Sequence, residues 1–516
     1  MTNILIGIGG TGAKVVEAAL GLFTAGLGPQ TVHVGVIDQD RANGNVNRTL
    51  ARLKSLRRFQ RVWGGRSSSS IDWSGDRSAP NRVGLGSVTV EELFGDRALW
   101  CPEGDDLSLT NIIGQDLSPQ QRDLFDLLFM PGEQEQDLQL GEGFRGRAHV
   151  GAAALIAAML EDENELVDRL RDLMQTADRT PVRIFLVGSA FGGTGAAGFP
   201  TLARELHRIR TDPEFTNKGM VSIGGALMLP YFGFARPDKD GEPVVTTDEL
   251  LPKAQLALEY YGRLFETERT FDKFYVMGWD PFFNLGYHQP GNFEQRNPPL
   301  LPELFAATAA VEFLSQDFDQ QDRQDVPVML SARTDSGVRW SDFPLAGIAD
   351  KLGQLIRFSA YWLYFAEQLL NKTSLFGGGN WTQPLRGKMK PVDHQEELES
   401  LRAVAYEVLS WAAATQATTK ERWSPGPWDT GGFLDRTHES APTDPVALAT
   451  NVAAPEPAFD QLIRADNGEP YDHGAAAVYE SLVSHGEELA RGNNSGYGRV
   501  VAATYRATSL HDERAR

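Results

Sequence analysis

Over the first 315 residues, short apolar runs alternate with amphipathic stretches. Asn3-Ile-Leu-Ile6 predicts a buried strand, followed by Gly7-Ile-Gly-Gly-Thr-Gly12 and a helix from Ala13 to about Phe23. Thr31-Val-His-Val-Gly-Val-Ile37 predicts a second strand, ending in Asp38-Gln39-Asp40. Regular alternation resumes with a helix from about Ala148 to Met174. A strand at 183–187 then runs through Val187-Gly-Ser-Ala-Phe-Gly-Gly-Thr-Gly-Ala-Ala-Gly-Phe-Pro200 into the amphipathic TLARELHRIR. Further strands are predicted at Met220–Met228 and Lys273–Met277, with helices at about Leu251–Phe265 and Leu301–Leu314. Strands alternating with helices imply an α/β fold, a doubly wound, Rossmann-like parallel sheet covered on both faces.

Two regions break this pattern. Residues 41–140 mix basic, serine-rich and glycine-rich pieces and read as a long insertion in a nucleotide-binding domain of residues 1–315. Within them, Arg48 to Arg82 carries nine basic residues against Asp72 and Asp76, with Ser67-Ser-Ser-Ser70 inside, and reads as a solvated, mobile loop. Residues 316–345 read as a linker. From 346 to 516 the pattern is mainly helical, with an extended, partly mobile Pro/Asp/Gly-rich segment at about 423–472.

Composition narrows the function classes. Of 516 residues 41% are apolar, enough for a sizeable core, and the net charge of -20 argues against nucleic acid or an anionic membrane as main partner. Cys101 is the single cysteine, which excludes disulfide frameworks and cysteine-rich metal sites and fits a reducing, cytoplasmic setting. The longest apolar stretch near a helix, Val150 to Leu160, is about half a membrane span. The nine histidines are scattered, and His394-Gln-Glu-Glu lacks the second histidine of a zinc motif.

Chemistry concentrates in two glycine loops. Gly7-Ile-Gly-Gly-Thr-Gly12 satisfies G-x-G-x-x-G between a strand and a helix, where glycine permits close approach and the free amides of the helix start favour an anion. A Walker loop is excluded, because Ala13 separates Gly12 from Lys14 and no Ser/Thr follows. A dinucleotide fold remains open, since Asp38 stands at a strand end where a ribose-binding acid belongs. The second loop, Gly192-Gly-Thr-Gly195, opens another helix. A nucleophile elbow there fails on spacing, because Gly188 and Ser189 are adjacent; a tight packing turn is the plain alternative. Two such loops at neighbouring strand ends direct many amides, and the Thr194 hydroxyl, at one di- or triphosphate.

Together these residues resemble the tubulin/FtsZ superfamily, in particular divergent bacterial tubulin-like proteins. GIGGTGAK resembles that family's first loop. Phe191-Gly-Gly-Thr-Gly-Ala-Ala197 resembles its GGGTGSG signature, with Phe191 in place of the first glycine and alanines at the sixth and seventh places. Asp38-Gln39-Asp40 and GFRGRAHVG extend the likeness, which covers roughly residues 1–40 and 141–345.

The resemblance implies GTP or GDP with Mg²⁺ and no direct protein ligand to the metal. Gly9, Gly10, Thr11 and Gly12 would meet the phosphates from one side, and Gly192, Gly193, Thr194 and Gly195 from the other. Gly146 and Arg147 would lie at a third loop sensing the γ-phosphate, Asp38 and Asp40 at the second-strand loop, and Glu303 with Asn297 at the base. Hydrolysis in polymerising members uses acids after the central helix, and Asp342 in Trp340-Ser-Asp-Phe-Pro-Leu345 matches the first of two. Leu345 stands at the second, and Asp350 is not a positional match. The expectation is slow GTP hydrolysis by Asp342 acting in trans, coupled to a homo-oligomer or filament. A non-hydrolysing, nucleotide-dependent scaffold for protein partners and an NAD-dependent oxidoreductase are the alternatives. The helical carboxy-terminal part departs from the family's strand-rich one.

Overall fold

The computed structural model describes residues 1–64, 84–102, 107–161, 163–215, 218–234, 247–268, 270–280, 282–285, 297–316, 328–332, 337–370, 381–419, 426–431, 433, 455–471, 473–491 and 496–510. The sheet strands are β1 (Thr2–Ile8), β2 (Thr31–Ile37), β3 (Thr89–Glu92), β4 (Leu99–Trp100), β5 (Val182–Ser189), β6 (Val221–Met228), β8 (Lys273–Trp279) and β10 (Val328–Ala332). Two short strands, β7 (Phe232–Gly233) and β9 (Phe283–Asn284), pair apart from it. The sheet runs β10-β8-β6-β5-β1-β2-β3, with β4 also on β2, and every pairing is parallel.

Alternate residues of each central strand feed opposite cores. Leu5, Phe185, Val187, Ala226 and Met228 join one apolar cluster. Ile4, Ile6, Ile184, Leu186, Ile223 and Leu227 join the other. A parallel sheet needs a cover on both faces. The first is covered by α1 (Gly9–Thr24) and the central helix over Leu301–Ser315, the second by α3 (Ala148–Met159), α4 (Glu165–Gln175), α5 (Gly193–Thr211) and α6 (Thr247–Thr267); the central helix is α7. The expected doubly wound Rossmann-like architecture is therefore present.

Two expected elements differ. The helix expected over 148–174 is two, because Glu163 takes a positive φ of 69° and the Asn164 side chain accepts from the Val167 amide at 3.0 Å, starting α4. The basic run is also not a solvated loop where it is described. Residues 44–64 form α2 (Gly44–Gly64), whose Val46, Leu53, Leu56, Phe59 and Trp63 are buried at helical spacing. Two of its arginines turn inward, while Arg58 and Arg61 stay exposed: Arg48 Nη2 lies 2.8 Å from Glu17 of α1, and Arg52 is 6% exposed with its guanidinium over the Trp411 ring. Residues 41–140 also supply β3 and β4, so part of the expected insertion belongs to the sheet. Ser67–Ser70, with Arg66, Arg77 and Arg82, lies outside the described residues, as does much of 423–472.

The carboxy-terminal helices α8 (Gln354–Tyr361), α9 (Gln395–Thr419), α10 (Ala475–Leu489) and α11 (Gly496–Ala507) bear out the helical expectation. They have no separate core, for Ile356, Leu409, Val501 and their neighbours belong to the same cluster as Leu5 and Phe185. Burial pushes Glu407 of α9 up to about 7 even with the Arg52 charge beside it, tying α9 to α2 through polar as well as apolar contact. No described helix is long and apolar enough to cross a membrane.

Candidate functional site

From β1 the chain moves outward through β2 to β3, and from β5 it moves the opposite way through β6 and β8. The loops after β1 and β5 therefore part at the topological switch point, where an open α/β sheet leaves a crevice beyond its carboxyl ends. Both glycine loops lie there. The crevice, of about 170 Å³, is lined by Gly9, Gly10 and Thr11 from one loop and by Gly192, Gly193, Thr194 and Gly195 from the other. Pockets enclosing a whole drug-sized ligand run to ~300–1,000 Å³, so this space suits a compact charged end of a larger molecule.

The loops touch one another. Gly9 has φ +74°, and a Cβ built on it would stand 2.9 Å from the Gly195 nitrogen. A Cβ on Gly193 would meet the Gly146 nitrogen at 3.0 Å, so the third loop, Gly143 to Gly146, joins the same point. The helices starting here, α1, α3 and α5, have no side-chain cap and no acid in their first turn. Three helix starts elsewhere are satisfied by side chains. Asn164 caps α4, Glu303 accepts from Leu300 N at the start of α7 at 2.8 Å, and Asp460 accepts from Ala475 N at the start of α10 at 2.9 Å. Two uncapped helix starts, those of α1 and α5, meet at the crevice with their partial positive charge, and the loop leading into α3 joins them through Gly146.

Asp38 and Asp40 stand at its edge. Asp38 is 2% exposed and accepts from the Thr194 hydroxyl at 2.9 Å, which locks the β2 end to the second glycine loop. Burial, helped by the neighbouring Asp40 charge, pushes its carboxyl up to about 7 against the opposing Thr194 bond. Phe191, the oddity of the signature, packs edge-on against Phe232 at 5.4 Å and Tyr231 at 6.3 Å, anchoring the loop to β7.

Four expected site residues fall elsewhere. Gly12 is a packing glycine, where a Cβ would stand 2.6 Å from the Val187 carbonyl oxygen, and it does not line the crevice. Arg147 lines a wide neighbouring groove instead. Asp342 is exposed, outside the crevice, and its carboxylate accepts from the Arg339 amide at 2.7 Å. Glu303 is the largest departure. It is 1% exposed, with Oε1 2.5 Å from Lys14 Nζ and 2.7 Å from the Tyr231 hydroxyl that donates to it, so its carboxylate is committed within the protein. Asn297 does line the crevice, and its carbonyl accepts from Arg48 at 2.9 Å.

Lys14 is the residue that motif reasoning passed over. It lines the crevice and is 2% exposed; burial pulls its ammonium down and pushes Glu303 up, each toward its neutral form. Its distance from Gly12 fails the Walker pattern, yet one and a half turns into α1 it still reaches the site. Asn43 and Asn45 also line the crevice; Asn43-Gly-Asn45 carried a turn signal in the sequence, whereas Phe232, Phe234 and Leu250 carried none.

Fold and site together define a Rossmann-like α/β protein with a glycine-walled crevice at its switch point. Comparisons with protein-family models, curated proteins and solved structures return no match.

Proposed function

We propose that the crevice binds the phosphates of a nucleotide, and that this nucleotide is GTP or GDP with Mg²⁺, as the tubulin/FtsZ resemblance implies. The convergence of the uncapped starts of α1 and α5, with the Gly143–Gly146 loop beside them, supports the phosphate half of this reading. The guanine half rests on the resemblance, with Asn297 as the base-facing residue and Glu303 withdrawn from that role. Asp38 and Asp40, with the Thr11 and Thr194 hydroxyls, offer the hard oxygen donors that suit a hydrated magnesium ion. When bound, the ion would neutralise charge between those carboxylates and the phosphates. The NAD alternative is disfavoured, because Asp38 is buried against Thr194 rather than open to a ribose.

Asp38 and Asp40 are the only carboxylates among the described residues that line the crevice. Asp342 lies outside the crevice of its own chain, so turnover by this residue depends on a second copy supplying it. The carboxylate of Asp342 engaged on its own turn favours the second reading, a nucleotide-dependent scaffold. Denaturing the purified protein and identifying the released nucleotide tests the ligand. Release of NAD, or of no nucleotide together with no affinity for GTP or GDP, sinks the proposal. Phosphate release per chain that rises with protein concentration supports trans hydrolysis; absent turnover supports the scaffold.

One consequence concerns pH. Without divalent cation, the affinity of wild type relative to Asp38→Asn is expected to fall as pH rises through about 7, because Asp38 then gains a negative charge facing the anion. The change across that window is roughly ten-fold. Binding titrations of both proteins at matched pH check it, and parallel curves would remove Asp38 from the site.

A further inference from the structure

A second surface is built beside the crevice and does not depend on what the crevice binds. A groove of about 1300 Å³ runs between α3, α5 and α6. Its walls expose large apolar side chains, with Ile156 46%, Leu160 77%, Leu256 67% and Tyr260 43% accessible. Five lysines and arginines line it against two glutamates, Glu205 and Glu268, on a chain whose net charge is -20. Arg204 and Arg208 pair with those glutamates and Arg147 adds a further cation. An apolar floor with a cationic rim selects an acidic, amphipathic partner.

The same chain presents such an element. The helix at Pro119–Leu128, capped by Ser118, buries only Phe125. Leu124, Leu127 and Leu128 occupy one stripe at i, i+3 and i+4 and stay 54%, 80% and 56% exposed, with Met130 just beyond at 57%. Asp123 and Asp126 flank the stripe, and Arg122, the one cation of the helix, is turned onto its own chain, donating to the Gly114 carbonyl. An amphipathic helix whose apolar stripe faces solvent lacks its cover. A ten-residue helix, ~11 Å across and ~15 Å long, sweeps on the order of 1,400 Å³, comparable to the groove. Helix and groove also adjoin: Phe129 stacks on His149, a groove residue, with ring centroids 6.1 Å apart, and His149 Nε2 lies 2.8 Å from Glu135.

We infer that two copies of this chain associate about a two-fold axis, each laying its Pro119–Leu128 helix into the cation-rimmed groove of the other. Donor and acceptor adjoin through Phe129 and His149, so a single two-fold rotation satisfies both contacts and closes the assembly at two. Charge complementarity sets the orientation, acids on the helix against arginines on the rim.

Sedimentation velocity of the full chain tests this with two exposed-site variants, Leu127→Asp on the helix and Leu256→Asp in the groove. Wild type is expected to dimerise, and each variant to weaken the dimer roughly 30-fold or more, with thermal melts showing that both fold. Mixing the variants restores one helix-in-groove contact, because one retains its groove and the other its helix; mixed dimers should form where neither variant alone does. A wild-type chain that stays monomeric overturns the proposal and leaves the face to another protein's acidic helix. A dimer indifferent to Leu127→Asp, or variants that fail to complement on mixing, overturns it equally.

Discussion

Alanine at position 9 is expected to abolish nucleotide binding, lowering affinity by roughly a hundred-fold or more. Gly9 sits at φ +74°, where a side chain costs ~1–2 kcal/mol. The added methyl would also stand 2.9 Å from the Gly195 nitrogen, a backbone atom with no rotamer through which to escape. Relief comes only by moving the start of α1 away from that of α5, which opens the point where the two glycine loops meet. Losing the geometry of amides aimed at one anion is worth several kcal/mol. Gly262→Ala is the control, since a Cβ there meets nothing within 4 Å and alanine in a helix interior gains ~1 kcal/mol over glycine. Calorimetric titration with GTP and a thermal melt of each variant decide the matter; a Gly9→Ala protein that binds as wild type does would show that the loops are packing turns alone.

The second large effect is at Lys14. Lys14→Met is expected to destabilise the fold by ~3–5 kcal/mol, because it leaves Glu303 buried without its cation. Glu303 is already pushed up by burial, and removing Lys14 takes away the charge that holds it down. A carboxyl whose folded-state pKa is raised contributes stability below its unfolded value and loses it as pH rises through the folded one. The deficit of Lys14→Met should thus be smallest in acid and grow toward neutral pH, read from urea unfolding midpoints across that range. Adding Glu303→Gln removes the charge while its carbonyl keeps an acceptor for the Leu300 amide and its NH2 turns to the Tyr231 hydroxyl, which then accepts, and this should recover most of the loss. In that double variant phosphate affinity should still be down roughly ten-fold, since Lys14 lines the crevice. Unchanged affinity would confine Lys14 to a structural role.

These two sites differ in how far they could be read from the chain. Gly9 and Gly192–Gly195 were legible because each glycine cluster follows an apolar run and opens a helix, a local pattern that places a loop at a strand end. Lys14 and Glu303 were not, because they lie 289 positions apart and their meeting depends on α1 and α7 packing side by side on one face of the sheet. Glu303 was expected at the base, and burial against Lys14 and Tyr231 makes it a fixed internal partner instead. The arginines of α2 misled for a similar reason. Their apolar neighbours keep a helical period, but a run of positive charge reads as solvated unless a buried acid lies opposite, as Glu17 does to Arg48.

By itself, then, the sequence determined the alternation of strand and helix, the parallel sheet and the two glycine loops, since all three follow from short-range periodicity and backbone freedom. Tertiary structure alone decided that the loops interlock at the switch point, that Gly12 packs while Gly9 faces the crevice, and that Arg52 and Glu303 are buried. It also decided that the leucine stripe of Pro119–Leu128 stays exposed among the described residues. Burial and strand order are properties of segments brought together from far apart, and no local pattern encodes which neighbour a side chain will meet.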